Sequence, residues 1–202
     1  EMLANSVRAR FAELRGEGGE FPKNGYQGDY IRDIAKVMLD GKRDDFSVYP
    51  RTVIQDGISK DLELFGVGFD NWYSETGLYP DKVNAVLKTL ESQNCLQRKD
   101  GALWFLSQGE KEEEADKDRV LQKSDGSYTY FASDIAYHRD KFDRGFTFCL
   151  DIWGHDHHGY VPRVQAAAKV VGIPQDGLKI LLYQLVSLKR GGKRVPMSTR
   201  SG

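Results

Sequence analysis

Along much of this chain apolar residues recur three and four positions apart, the spacing that aligns one face of an α-helix. Met2, Leu3, Val7, Phe11 and Leu14 make the first such stripe, and Gly16, Gly18 and Gly19 end it. Tyr30, Ile31, Ile34, Ala35 and Met38 make the second, predicting a helix over 29–39 with Asp29 as its N-cap. The charged stretch 41–47 reads as a surface connection. Val53, Ile54, Ile58, Leu62 and Phe65 predict a third helix over 53–65, interrupted at Gly57. Val83, Val86, Leu87 and Leu90 predict a fourth over 82–92. Between these two, Phe69, Trp72 and Tyr73 gather in a turn-rich segment, where they either pack or offer rings for a base to stack on.

The period then changes. ALWFLS, DRVLQKS and DGSYTYFAS predict a small antiparallel β element, with Asp125-Gly126 as a two-residue hairpin signal. Between its strands the like charges of 109–118 repel one another and read as a solvated loop. A helix is expected over 134–142. Residues 146–153 are apolar and β-branched, the pattern breaks at Gly154, and His155, Asp156, His157 and His158 crowd together before Gly159. Helical spacing follows in Val161, Val164, Ala167, Ala168 and Val171, with Pro162 in the first turn and Gly172 at the stop. This is a strand, a polar loop and a helix. In open α/β sheets the loop leaving a strand's carboxyl end binds ligands, because the helix N-terminus offers unpaired N–H groups and partial positive charge. The apolar run 178–188 fits a buried parallel strand. GGKRVPMSTRSG fits either a mobile loop able to cover a polyanion or a solvated linker.

Composition adds little. The chain carries 29 basic and 30 acidic residues, net charge −1, so bulk charge argues for no nucleic-acid partner. Its 202 residues suit one large domain or two small ones. Cys95 and Cys149 read as reduced thiols. Neither a signal peptide nor an apolar run near the roughly 20 residues that span a bilayer occurs, which predicts a soluble cytoplasmic protein. The chain opens inside a helical stripe and stops just after a polar motif, as a piece of something longer would.

Several chemistries compete for residues 155–158. Imidazole and carboxylate are metal ligands, and the Asp-His-His string resembles that of metal-dependent phosphoesterases, although consecutive side chains diverge and no Asp-x-Asp stands on an earlier predicted strand. A Ser/His/Asp hydrolase would need a G-x-S-x-G elbow, which is absent. A polar loop that hydrogen-bonds a nucleotide needs no metal geometry. Tyr130 and Asp134, four apart, share a face if the helix starts early, and a carboxylate there would match a guanidinium in a bidentate pair. Alternatively Asp134 caps the helix and Tyr130 packs.

SDGSYTYFASDIAYHRDKF, DIWGHDHHGYVPRV and VPMSTRSG, in this order, with the earlier GYQGDYIRDIAK and DGALWF, closely resemble the catalytic domain of bacterial arginyl-tRNA synthetases, of class I. The resemblance implies a partial Rossmann-like nucleotide-binding α/β fold, a parallel sheet with helices and an inserted antiparallel hairpin. On it, 1–75 would be the helical part, 76–127 the insertion and 128–202 the second half of the fold. It also implies a reaction: arginine and ATP, entering as its Mg2+ complex, give arginyl-adenylate, and the arginyl group passes to tRNA(Arg). No tightly bound cofactor or metal site is implied, and the parent enzyme would be a monomer. By the same resemblance Tyr130, Asp134 and His157 would bind arginine. Gly154, Asp156 and His158 would bind ATP, and Met197, Ser198 and Arg200 would belong to the catalytic signature loop.

Two departures bear on activity. The HIGH signature, which in the family steadies the ATP phosphates, does not occur in these 202 residues. The second signature, usually Lys-Met-Ser-Lys-Ser, stands here as residues 196–201, PMSTRS, without either lysine, leaving Arg200 and Lys193 to supply charge. Two other readings remain: a DHH-type phosphoesterase, and a synthetase-like module that binds arginine and does no chemistry. Adenylate formation is in-line attack on the α-phosphate, so the protein positions two anions and stabilises growing charge. Without HIGH, the donors on one side of the triphosphate are missing. The 202-residue chain alone is therefore expected to give no arginine-dependent ATP–pyrophosphate exchange in the presence of tRNA, and measurable exchange would refute this.

Overall fold

The computed structural model describes residues 1–106, 119–184 and 186–195. The charged loop 109–118 and the signature-loop residues Met197, Ser198 and Arg200 lie outside them. The chain forms two compact units, Glu1–Asn71 with Ser187–Gly202, and Trp72–Val186.

The first unit is built on three helices, α1 (Met2–Leu14), α2 (Asp29–Asp40) and α3 (Tyr49–Leu64). Val7 of α1 and Ile31, Ile34, Ala35 and Met38 of α2 are buried together, with Phe11, Phe46, Val53 and Ile54 against them. Each fully buried side chain of this size contributes about 1.5–3 kcal/mol, which is what makes the two stripes helices. Ser6 ties the unit further: its hydroxyl donates to the Met2 carbonyl (2.8 Å) and accepts from the Tyr26 amide (3.0 Å). Two expectations change. Gly28, extended at φ −61 and ψ 149, caps α2 in place of Asp29, and Tyr30 is exposed rather than in the stripe. Helix α3 begins at Tyr49, with Pro50 in its first turn, and continues unbroken through Gly57. The unit also holds the hairpin β6 (Leu188–Arg190) and β7 (Lys193–Val195), so the start of the presumed mobile loop is ordered structure.

The second unit is α/β. Helix α4 (Asp81–Ser92) is followed by the antiparallel sheet β1 (Leu96–Lys99), β2 (Ala102–Phe105) and β3 (Val120–Gln122). Asp100 and Gly101 both have positive φ (52 and 76), the two-residue turn whose twist matches the strands it joins. That turn, more than Asp125-Gly126, makes the hairpin. After Gly126 only a single bridge, Gln122 to Tyr128, forms before the chain turns into helix α5 (Tyr130–Asp143). Strand β4 (Cys149–Gly154) then leads through a short 3-10 segment (His155–Tyr160) into α6 (Val161–Val170) and back to β5 (Leu178–Tyr183). The strands β4 and β5 pair in parallel, from Cys149 opposite Leu178 to Gly154 opposite Tyr183. β5 is not the fully buried strand expected of its composition: its burial alternates, and one face of the pair leaves Leu150, Ile152, Leu181 and Tyr183 about half exposed.

One core runs through this unit. Leu78, Val83 and Leu90 pack with Phe105 and Leu121 of the antiparallel sheet and with Phe131, Ile135, Cys149, Val164 and Leu178. Residues 76–127 thus share their interior with 128–186. Cys95 and Cys149 are buried free thiols, and burial raises the pKa of each. Among the described residues no helix is long and apolar enough to cross a membrane.

Gly57 sits inside α3 with nothing within 4 Å of where a Cβ would stand. Glycine costs a helix interior about 1 kcal/mol relative to alanine, so Gly57→Ala is expected to stabilise the first unit by about 0.5–1 kcal/mol in urea denaturation.

Candidate active site

Where α5 starts decides the site. The Thr129 amide donates to the Leu121 carbonyl (3.0 Å) and its hydroxyl to the Val120 carbonyl (2.5 Å), so β3 holds residue 129 extended while the next residue is free to turn. The helix consequently begins at Tyr130, four residues earlier than its apolar spacing suggests, with Thr129 as N-cap. Tyr130 and Asp134 thereby stand one turn apart on the same face. Asp134 is not the cap, and Tyr130, 78% exposed, is not packed away.

This face forms one wall of a cleft of about 1210 Å³, and the carboxyl end of β4 forms the other. Tyr130, Asp134, Gly154, Asp156, His157 and His158 all line it. All six predicted site residues among those described are therefore brought together in one unit. Gly154 ends β4 in an extended conformation and opens the 3-10 segment, in which the rings of His155 and His158 stack (centroids 5.3 Å apart). The His157 imidazole lies 3.8 Å from the Asp156 carboxylate, both side chains exposed. No group of three metal-capable side chains occurs among the described residues.

Residues that sequence reasoning passed over hold the site together. Tyr160 is wedged between Phe131 and Trp153, each ring centroid 5.7 Å away, and its hydroxyl donates to Asp134 Oδ2 at 2.8 Å. Beneath them His138 of α5 faces two acceptors: its Nδ1 lies 2.7 Å from the Asp134 carbonyl, and its Nε2 lies 2.6 Å from Asp151 Oδ2 of β4. The ring thus bridges the Asp134 carbonyl of its own helix and the Asp151 carboxylate of β4. Lys141 adds a cation 3.3 Å from Asp151 Oδ1. Burial pushes the Asp151 carboxyl up, but the His138 hydrogen bond and the His138 and Lys141 charges outweigh it and hold Asp151 below the ordinary range.

Asp134 moves the other way. Burial raises its pKa, the Tyr160 hydrogen bond and the His138 charge pull it down without cancelling that rise, and the charges of Glu75 and Asp151 add to it. Glu75 was not foreseen, since it lies in the turn-rich segment with no periodicity to mark it. It lines a smaller cavity of about 230 Å³ with Asp134, Tyr73, Tyr130 and Tyr137. Two carboxylates and three phenol rings make a lodging for a planar cation. Of the aromatic cluster 69–73, Tyr73 packs against Tyr137, the rings tilted by 31° with centroids 4.7 Å apart, whereas Phe69 and Trp72 are exposed. The segment is anchored to α5 through Asp140, buried and paired with Lys82 and with Arg144 (2.9 Å), whose side chains both lie over the Tyr73 ring.

Comparison with known proteins identifies the family. Residues 32–202 match the family described as tRNA synthetases class I (R), catalytic domain. An arginine–tRNA ligase of Syntrophotalea carbinolica is 45% identical over 99% of this chain, and one of Thermotoga maritima is 42% identical over all of this chain. The chain spans 38% and 39% of those relatives. A crystal structure from Campylobacter jejuni described as an arginyl-tRNA synthetase superposes with TM-score 0.80 at 34% identity, over 97% of this chain and 45% of that one. The arginyl-tRNA synthetase of Plasmodium falciparum, 14% identical with TM-score 0.58 over 91% of this chain and 33% of its own, shares the fold. The phosphoesterase reading suggested by the Asp-His-His string is not supported by these likenesses.

The opposite shifts of the two aspartates give a stability test. Asp151, its folded pKa depressed, contributes stability that is present above the unfolded carboxylate value and lost as pH falls through the folded one. Asp151→Asn removes a buried carboxylate that both His138 and Lys141 contact and is expected to cost about 3 kcal/mol at neutral pH. In Asp134, whose folded pKa is raised, the charged form opposes folding. Asp134→Asn is therefore expected to leave the thermal midpoint unchanged or higher, and a fall comparable to that of Asp151→Asn would contradict the assignment.

Proposed function

Because this chain belongs to the family of class I tRNA synthetase catalytic domains specific for arginine, we propose that it is part of an arginine–tRNA ligase that makes arginyl-adenylate from arginine and ATP and passes the arginyl group to tRNA(Arg). The observation that carries this reading is the one cleft lined by both the Asp134 face of α5 and the Gly154 end of β4.

In this reading the guanidinium of arginine enters the small cavity. Asp134 receives it, Glu75 adds a second carboxylate, and the phenol rings of Tyr130 and Tyr137 flank it. A guanidinium keeps its charge at any physiological pH and presents donors in a planar fork, whereas the lysine ammonium is a point charge that two separated carboxylates satisfy less well. The desolvation that raises the Asp134 pKa is relieved when a cation arrives, so binding strengthens the charged form of the acid. His157 stands on the opposite wall, toward the amino-acid end of the substrate.

Gly154 brings backbone close to adenosine, with Asp156 and His158 as its polar contacts. ATP enters as its magnesium complex, a substrate rather than a resident group. The arginine carboxylate attacks the α-phosphorus, the bond to the β-phosphate oxygen breaks and pyrophosphate leaves. The protein supplies position and charge, and no proton needs to move. Met197, Ser198 and Arg200 belong to the signature loop, on the phosphate side in this reading. The terminal adenosine of tRNA then takes the arginyl group with release of AMP. The parent enzyme acts in the cytoplasm as a monomer.

Calorimetry on the 202-residue chain tests the pocket. Arginine is expected to bind and lysine to bind far more weakly. Asp134→Asn should lower arginine affinity about a hundredfold, in keeping with the loss of one partner from a desolvated charge pair. Equal affinity for the two amino acids, or an unchanged Asp134→Asn, would overturn the reading.

A further inference from the structure

Residues 188–195 form a two-stranded hairpin in which like charges stand directly opposite each other: Lys189 faces Arg194, and Arg190 faces Lys193. The turn is Gly191-Gly192, both at positive φ (57 and 78), which joins the strands as tightly as two residues can. All four cations are exposed, and none makes an ion pair with an acidic group among the described residues. Like-charge cross-strand pairs destabilise a ladder, and a hairpin of this length is marginal without help. A hairpin selected for stability alone would alternate the signs.

Cross-strand partners share a face, and neighbours along a strand take opposite faces. Lys189 and Arg194 therefore charge one side of the ribbon, Arg190 and Lys193 the other. A single triphosphate can meet only one side. Paired RNA is an A-form helix whose wide, shallow minor groove is flanked by a phosphate strand on each side, so a ribbon set edge-on against it meets phosphates with both faces. The chain as a whole is close to neutral, so this is a local concentration of charge and not a general basicity.

We propose that the β6–β7 hairpin is a contact surface for paired RNA, each face neutralising phosphates of one strand. This rests on the tRNA partner proposed above only for the identity of the polyanion.

The test is fluorescence anisotropy of a labelled RNA stem-loop titrated with the 202-residue chain over a range of salt concentration. The slope of log affinity against log salt counts phosphate contacts, at about 0.7–0.9 per contact. Lys189→Gln with Arg194→Gln, and separately Arg190→Gln with Lys193→Gln, should each reduce the slope by about 1.5 and weaken binding at low salt at least tenfold. Melting temperature should stay level or rise, because repulsion has been removed. Slopes unchanged by both double variants would overturn the proposal. So would loss from one face only, or displacement of the RNA by millimolar ATP, which would assign the hairpin to a nucleotide. Arginine calorimetry on the same preparations reads the cleft separately, so failure of the pocket and failure of the hairpin give different results.

Discussion

Helix α5 and strand β4 each carry half of the cleft, and the buried pair of His138 and Asp151 joins them. The same imidazole also meets the carbonyl of Asp134, the residue whose carboxylate faces the cleft. One ring thus fixes the height of Asp134 on its helix relative to the strand that ends at Gly154. Such a pair costs desolvation and contributes little net stability. Its physical effect is geometric: with both ring nitrogens committed, α5 cannot slide along β4 without breaking the buried His138–Asp151 contact.

The site is electrostatically unequal by construction. Asp151 of β4 is hydrogen-bonded by His138 and Lys141 and its pKa is held low, whereas Asp134 of α5 is desolvated, feels the charge of Glu75 and accepts a hydrogen bond from the Tyr160 phenol. The first arrangement is internally satisfied and serves the fold. The second is bonded to Tyr160 yet remains desolvated, as ionisable groups of binding pockets are, at some expense of stability. Tyr160 mediates between them, since its ring is locked by Phe131 and Trp153 while its hydroxyl limits how far the Asp134 carboxyl can turn.

The same logic of unmet charge recurs at the β6–β7 hairpin, with the sign reversed. There the unmet groups are cations on an exposed ribbon, and in the cleft they are carboxylates in a hollow. A chain with nearly balanced total charge thus gathers carboxylates at the small cavity and cations on the hairpin.

Much of this was legible from the order of the residues. The stripes of α1, α2, α4 and α6, the strand before Gly154 and the turn chemistry at Gly172 follow from local spacing, because a helix or strand is chosen chiefly by which of its own neighbours are apolar. The family strings carried the six cleft residues as well. Three things depended on the folded chain. Helix α5 begins at Tyr130 because β3, brought alongside, clamps Thr129, an interaction with no signature in the helix's own period. The alternating exposure of β5 follows from having helices against only one face of the parallel pair, where composition alone reads as burial on both. Glu75, Tyr160 and the His138–Asp151 pair became part of the site through contacts between residues up to some 60 positions apart in sequence, distances over which pattern carries no information and only packing decides.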